Sequence, residues 1–160
     1  MSENLEVSFN SPQCGWMSIG FAGGGGEFHT TTAHAPHEQA LPELLRILTD
    51  LLDENSVQNE FVLHWNRNPE EFDFRFARND EKILLEIYQY PTEERFAENR
   101  EKVFAYEGMT AEICQAFYDT FAQLEADKNT DDFEQNWRQS FPLADFEKFE
   151  NKLRFHGNTQ

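Results

Sequence analysis

Positive charge is scarce in this sequence: thirteen Lys and Arg face thirty Asp and Glu, which gives a formal net charge of −17. The excess of acids persists along the chain, with eight acids to one base in residues 1–56, twelve to seven in 57–108 and ten to five in 109–160. A surface that binds nucleic acid through its phosphates needs concentrated basic residues, and an anionic membrane repels an acidic protein. The composition therefore argues against nucleic acid and membranes as partners.

Long apolar runs and paired cysteines are also missing. No stretch approaches the ~18 apolar residues of a membrane span, and Met1–Glu6 has neither the basic region nor the apolar run of a secretory signal. The two cysteines, Cys14 and Cys114, lie far apart and form no metal-type pair. These absences predict a cytoplasmic protein in which both thiols are reduced.

Aromatic residues, by contrast, are abundant. The chain contains sixteen Phe and is 39% hydrophobic, whereas disordered acidic proteins are poor in aromatics. A length of 160 residues suits one domain and allows a core without disulfides or metals. We therefore expect residues 1–160 to form a single packed domain.

Hydrophobic periodicity predicts an α+β fold. Alternation of apolar and polar residues predicts strands near 4–10, 14–21, 27–33, 61–65, 72–76, 83–88 and 102–107. Leucines at helical spacing predict a helix over 42–53. A second helix is expected after Thr110 as N-cap, followed by a helical C-terminal region broken at Pro142. Because strands and helices do not alternate strictly, we expect antiparallel meanders in two sheet-then-helix halves, packed on two principal helices.

This layout is similar to that of the Whirly family, in which two four-stranded sheets each lead into a helix. The basic Lys-Gly-Lys-Ala-Ala-Leu motif of that family is absent from the sequence. The resemblance therefore implies a fold and gives no reason to transfer nucleic-acid binding.

Familiar catalytic motifs are missing. The run Gly23–Gly26 lacks the Lys-Ser/Thr of a phosphate-binding loop and leads into a predicted strand, so we expect a turn. There is no nucleophile-elbow sequence. Neither Cys14 nor Cys114 has the basic neighbour that activates a thiol. The sequence thus predicts a protein that is not an enzyme and uses no cofactor.

Three histidines support an alternative. His29, His34 and His37 lie close together in the sequence with carboxylates nearby, and three imidazoles can bind zinc. Pro36 separates two of them, so they share no helix face, and polar residues at a strand-to-helix junction are the simpler interpretation. A small metal-dependent enzyme that uses these histidines remains the alternative function.

The end of the second predicted helix and the following segment combine carboxylates with aromatic residues. Such a combination is typical of an interface for a basic protein, because Tyr and Trp supply anchors and carboxylates supply steering. The other interpretation is that Asp131 and Asp132 are a solvated cap before the next helix. The predicted binding surface consists of Tyr118, Asp119, Glu125, Asp127, Asp131, Asp132, Glu134 and Trp137.

The whole chain resembles an immunity protein of a bacterial contact-dependent growth inhibition system. The likeness rests on the start at Met1–Asn4, the length, the strand with Phe72, Phe74 and Phe76, and the acidic, aromatic stretch 131–137. The resemblance implies a cytoplasmic protein of a Gram-negative cell that binds the toxin domain of an effector delivered by a neighbouring cell.

In such a pair the immunity protein blocks the toxin's active site or its substrate path. Many of these toxins are nucleases with basic grooves, and the resemblance implies an RNA-cleaving, EndoU-like toxin as the cognate partner. It transfers no catalytic residues. An acidic adaptor or nucleic-acid mimic for a different client remains a further alternative.

Overall fold

The computed structural model describes residues 4–33, 39–53, 55–66, 70–92 and 94–158. Its elements are β1 (Glu6–Phe9), β2 (Trp16–Gly23), β3 (Gly26–Ala33), α1 (Ala40–Leu51), β4 (Glu60–Asn66), β5 (Glu71–Asn79), β6 (Lys82–Tyr90), a short 3₁₀ turn (Ala97–Asn99), β7 (Glu101–Met109), α2 (Thr110–Asp127), α3 (Phe133–Trp137) and α4 (Leu143–Asn158). The predicted strands and helices are all present, with ends shifted by a few residues.

The seven strands form one antiparallel meander in chain order. A single residue pair, Ala33 with Asn66, joins β3 to β4, so the sheet consists of a three-stranded and a four-stranded section. Each section is followed by a helix, α1 after the first and α2 after the second. The predicted α+β class and its two sheet-then-helix halves are confirmed. The first section has three strands, one fewer than in the Whirly layout.

The Phe-rich strand β5 shows why the chain forms sheets. Phe72, Phe74 and Phe76 alternate with charged residues, and all three are buried. Because side chains alternate between the two faces of a strand, these three rings share one face, which faces the core. The ring of Phe74 meets that of Phe21 from β2 edge to face, with centroids 5.6 Å apart. Burying each such ring stabilises the fold by about 1.5–3 kcal/mol.

Helix α2 lies against this aromatic layer. Phe117 contacts the rings of Phe9, Phe21 and Phe76, at centroid distances of 6.3, 6.1 and 6.0 Å. Helix α1 adds an apolar stripe of buried residues: Ala40, Leu41, Leu44, Leu45, Leu48 and Leu51. Apart from Tyr90, the buried hydrophobic residues, from Leu5 to Phe149, form one cluster. Both halves of the chain therefore share one core.

Thr110 has a different role from the predicted N-cap. It is the first residue of α2, and Met109 occupies the cap position without a side-chain hydrogen bond. The hydroxyl of Thr110 donates to the carbonyl of Glu81 at 3.0 Å, and its N–H donates to the same oxygen at 2.8 Å. The start of α2 is thus fixed to the β5–β6 turn.

The predicted turn in the glycine run is confirmed. Strand β2 ends at Gly23 and β3 begins at Gly26, so the hairpin loop is Gly24 and Gly25, with φ of +58° and +85°. Two consecutive positive φ values match the twist of the flanking strands and suit glycine.

The C-terminal region is helical and interrupted around Pro142, as predicted. Helix α3 ends at Trp137, and α4 begins at Leu143. Helix α4 packs against α1 and α2, and its buried side chains include Phe146 and Phe149.

Candidate protein-binding surface

The exposed side of α2 carries a regular row of polar residues. Gln115, Asp119, Gln123 and Asp127 occur at four-residue intervals, which places them along one line of the helix. Each glutamine amide donates to the next aspartate, from Gln115 to Asp119 at 2.8 Å and from Gln123 to Asp127 at 2.6 Å. Two carboxylates, about 12 Å apart along the helix axis, are thus oriented by neutral donors.

The segment between α2 and α3 adds two aspartates. The Asp131 carboxylate accepts from the Ser11 hydroxyl at 2.7 Å, and the Asp131 N–H donates to the Asp127 carbonyl at 2.8 Å. Asp132 has a φ of +51° and occupies the N-cap position of α3, but its carboxylate makes no capping hydrogen bond. The Asn136 amide donates to the carbonyl oxygens of both aspartates, at 3.1 and 3.2 Å. Asp132 therefore does not use its charge to cap the helix.

Glu125 and Glu134 differ in their partners. The Glu125 carboxylate lies 2.9 Å from the Lys128 ammonium, an ion pair that neutralises it. The Glu134 carboxylate instead accepts from the Ser140 hydroxyl at 3.1 Å. Next to it is a surface depression of about 470 Å³ lined by Lys128, Asn129, Asp132, Glu134, Gln135 and Arg138.

Five of these carboxylates form what we call the acidic strip: Asp119, Asp127, Asp131, Asp132 and Glu134. Over the described ranges, none of the five has a basic nitrogen within 4.0 Å. The last turn of α2 contains no basic residue either. Carboxylates at the negative end of a helix dipole are unfavourable by about 0.3–1 kcal/mol each. Asp127, the last residue of α2, thus keeps its charge at a position where that charge is unfavourable in the free protein, whereas Asp132 and Glu134 lie at the N-terminal end of α3.

Tyr118 is a preorganised aromatic residue beside the strip. Its ring stacks on Phe146 with centroids 5.6 Å apart and planes inclined by 12°. Its hydroxyl donates to the Glu150 carboxylate at 2.6 Å. That hydrogen bond, followed by burial, raises the pKa of Tyr118. The side chain is half-buried, so it is held in the structure and remains partly exposed to solvent.

Trp137 does not lie on this surface. Its side chain is only 1% exposed and belongs to the hydrophobic core. The expectation that Trp137 is a surface anchor therefore needs correction, because its indole holds the short helix α3 against the protein. The remaining seven predicted residues are at least partly exposed.

The outer face of the four-stranded section contains an ion-pair network that the sequence reading missed. Arg75 on β5 binds both Glu60 and Glu86, and Lys102 on β7 lies 2.9 Å from Glu86. Burial acts to raise the pKa of Glu86, but the hydrogen bonds from Lys102 and Arg75 outweigh it and hold this pKa below its ordinary value. The alternation of charged residues along β5 was the available signal. Here, in contrast to the strip, acids and bases neutralise one another.

A second part of this network is centred on Asp73. Its carboxylate accepts from the Tyr90 hydroxyl at 3.0 Å and lies 2.7 Å from His64 Nδ1. Arg95 reaches it from the loop after β6 and also binds Glu71, at 2.7 Å. The Arg95 side chain is 20% exposed. This cluster therefore fastens the loop to the sheet.

The alternative metal site can be followed only in part. His29 lies on β3 with its Nε2 atom 3.1 Å from Glu27, and both side chains are largely exposed. His34 and His37 lie outside the described residues. Among the residues that are described, no group of three or more His, Cys, Asp or Glu side chains converges as metal ligands would. The three-histidine hypothesis thus stays a prediction.

The two cysteines differ in environment. Cys114 is fully buried in α2, and burial raises the pKa of its thiol far above the ordinary value. Cys14 is exposed, with a φ of +53°. A buried neutral thiol is a poor nucleophile.

Comparisons with known proteins give no relative. No family model, no curated protein and no solved structure matches the chain. Within the part of the chain described, no helix has both the length and the apolar character needed to cross a membrane.

Proposed function

We propose that this protein is a cytoplasmic immunity protein that binds a basic toxin domain and covers its active site. The toxin that fits best is an RNA-cleaving domain of the EndoU-like type, delivered by a contact-dependent growth inhibition system. The sequence resemblance suggests this class, and the acidic surface suggests how binding works.

The acidic strip is the observation that carries the proposal. Its five carboxylates are oriented by neutral donors or left without a capping role, so they remain available to a cationic partner. The chain neutralises other acids: Glu71, Glu86 and Asp73 are paired with Arg or Lys. A row of fixed negative charges can occupy a cationic groove in place of an RNA backbone.

Electrostatics also favours a fast encounter. A net charge of −17 attracts a basic protein over distances of about one Debye length, ~8 Å at physiological salt. Complementary fields raise association rates to ~10⁸–10⁹ M⁻¹s⁻¹ at low salt. An immunity protein must capture its toxin before RNA is cleaved, so speed suits this role.

The experiment is an RNA-cleavage assay with the toxin domain encoded by the reading frame immediately upstream. The strip-neutralised variant carries Asp119→Asn, Asp127→Asn, Asp131→Asn, Asp132→Asn and Glu134→Gln. The matched control neutralises five exposed acids elsewhere: Glu6→Gln, Glu98→Gln, Glu101→Gln, Glu107→Gln and Glu147→Gln.

We expect the native protein and the matched control to stop cleavage at a stoichiometric ratio. The strip-neutralised variant should bind the toxin with a Kd at least tenfold higher, which corresponds to ~1.4 kcal/mol of binding free energy, and should therefore need an excess over the toxin. If the native protein leaves cleavage unaffected at stoichiometric excess, the proposed function is wrong.

A further inference from the structure

A groove of about 280 Å³ lies between α2 and α4, at one end of the acidic strip. Its lining combines apolar and charged groups: Ala111, Gln115, Tyr118, Glu150, Leu153 and Arg154. Gln115 belongs both to this groove and to the polar row on α2, through its hydrogen bond to Asp119. The groove is thus continuous with the surface proposed to bind a basic protein.

We propose that this groove receives an arginine side chain of the cationic partner, with its guanidinium on Glu150 and its aliphatic stem along Leu153. This inference rests on the proposed function and specifies how one partner residue is recognised. Arg154 occupies the place of the partner's guanidinium in the free protein and moves away on binding.

The contacts of Glu150 show that it has room for a second donor. One carboxylate oxygen, Oε2, accepts from the Tyr118 hydroxyl at 2.6 Å. The nearest guanidinium atom, Arg154 Nη2, lies 4.0 Å from that oxygen, and the Arg154 side chain is 61% exposed. An exposed pair at this distance, four residues apart on one helix, is weak. Arg154 can therefore be displaced by a better-placed guanidinium.

The shape and chemistry of the groove favour arginine. A guanidinium binds a carboxylate through two parallel N–H groups, while its stem covers apolar surface such as Leu153 and Ala111. Tyr118, on the opposite side, is already held by Phe146 and Glu150. Binding therefore orders few additional side chains, and tyrosine and arginine are the residues that dominate binding energy at interfaces.

The first test compares two variants of α4 that each remove one positive charge. Arg154→Ala removes the internal competitor for Glu150, whereas Lys148→Ala removes an exposed charge from the same helix. We expect Arg154→Ala to bind the upstream toxin domain roughly two- to fivefold more tightly than Lys148→Ala, the change expected from losing a weak exposed pair. Equal affinities would overturn the inference.

A second pair of variants tests the acceptor. Glu150→Gln keeps an acceptor for Tyr118 but loses the charge, and Glu147→Gln is its exposed control on the same helix. We expect Glu150→Gln to weaken toxin binding by at least tenfold relative to Glu147→Gln, the loss typical of one charge-assisted hydrogen bond. Equal weakening would also overturn the inference.

A partner-free test separates this inference from the proposed function. N-acetyl-arginine amide is titrated into the native protein and followed by NMR, with N-acetyl-citrulline amide as an uncharged control of similar shape. We expect shifts at Tyr118 and Leu153 with the arginine compound alone, and none in Glu150→Gln. Absence of these shifts in the native protein would refute the proposal that the groove binds an arginine side chain.

The results are distinguishable. Shifts with the arginine compound but no toxin binding would refute the proposed function and leave the groove as an arginine site. Toxin binding that is insensitive to Arg154→Ala and Glu150→Gln, relative to their controls, would refute the inference and leave the proposed function intact.

Discussion

Ser11 and Asp131, which are 120 residues apart in the sequence, are joined by a hydrogen bond of 2.7 Å from the serine hydroxyl to the aspartate carboxylate. Ser11 follows β1, whereas Asp131 lies between α2 and α3. The bond therefore ties the acidic strip to the N-terminal part of the protein. A strip fixed in this way needs little reordering when a partner binds.

This bond can be measured with a double-mutant cycle of Ser11→Ala and Asp131→Ala. We expect a coupling energy of about 0.5–1 kcal/mol in urea unfolding, because an exposed neutral-to-charged hydrogen bond makes a modest net contribution. Additive effects of the two substitutions would show that the bond does not hold the strip.

Arg95 should be the main support of the loop after β6. Its guanidinium binds Glu71 and Asp73, so Arg95→Ala removes a cationic partner from two largely buried carboxylates. We expect a loss of about 2–3 kcal/mol in unfolding free energy, less than for a fully buried pair because Arg95 is partly exposed.

Arg95→Lys is the control for this substitution. It keeps the charge but loses the planar fork, so an intermediate stability is expected. Limited proteolysis should cut Arg95→Ala preferentially within residues 91–100. An unchanged cleavage pattern would argue against a fastening role.

Glu86 predicts a specific loss of stability in acid. Its folded-state pKa lies below the ordinary value of 4.5, so its contribution is complete above that pH and is lost as the pH falls through the folded pKa. Unfolding free energy should therefore decline between about pH 5 and pH 3, and Glu86→Gln should show a smaller decline. Identical slopes for Glu86→Gln and the native protein would contradict the role of its partners Arg75 and Lys102.

The buried thiol of Cys114 predicts a loss of stability at alkaline pH. Its folded pKa is raised above the ordinary value of 9.0, so the unfolded state releases this proton first as the pH rises. Stability should fall by up to ~1.4 kcal/mol per pH unit above pH 9. In denaturant titrations at pH 8–10, the unfolding free energy of Cys114→Ala should decline less with pH than that of the native protein. An equal decline in both proteins would refute the role of the buried thiol.

The same burial predicts a difference in thiol reactivity. In native protein at pH 8, a thiol reagent should label one cysteine, Cys14, and in urea it should label two. Cys14→Ser should therefore show no rapid labelling until it unfolds. Rapid labelling of native Cys14→Ser would mean that α2 opens readily.

The local parts of the fold were predictable from the sequence. Phe72, Phe74 and Phe76 alternate with charged residues, and this period alone indicates a strand with one buried face. The stripe of leucines in α1 is equally local. In both cases the pattern repeats over several residues, so neighbouring positions support the same prediction.

The parts that were missed depend on contacts between distant residues. In the sequence, Trp137 is flanked by polar residues. Its burial in the folded protein follows from the direction of α3. Asp132 and Arg138, at the ends of that helix, both have positive φ, which no apolar pattern reveals. Arg95 and Asp73 are 22 residues apart in the sequence. The sequence contains thirty acids and does not indicate which of them binds Arg95.

The most direct test of the account is the association rate with the upstream toxin domain, measured by stopped flow from 20 to 500 mM NaCl. For the native protein and the five-acid control we predict a steep decline with salt, because steering depends on unscreened charge. For the strip-neutralised variant we predict a slower rate and a clearly shallower decline. Equal salt dependence in the strip-neutralised and control variants would show that net charge alone, and not the acidic strip, governs the encounter.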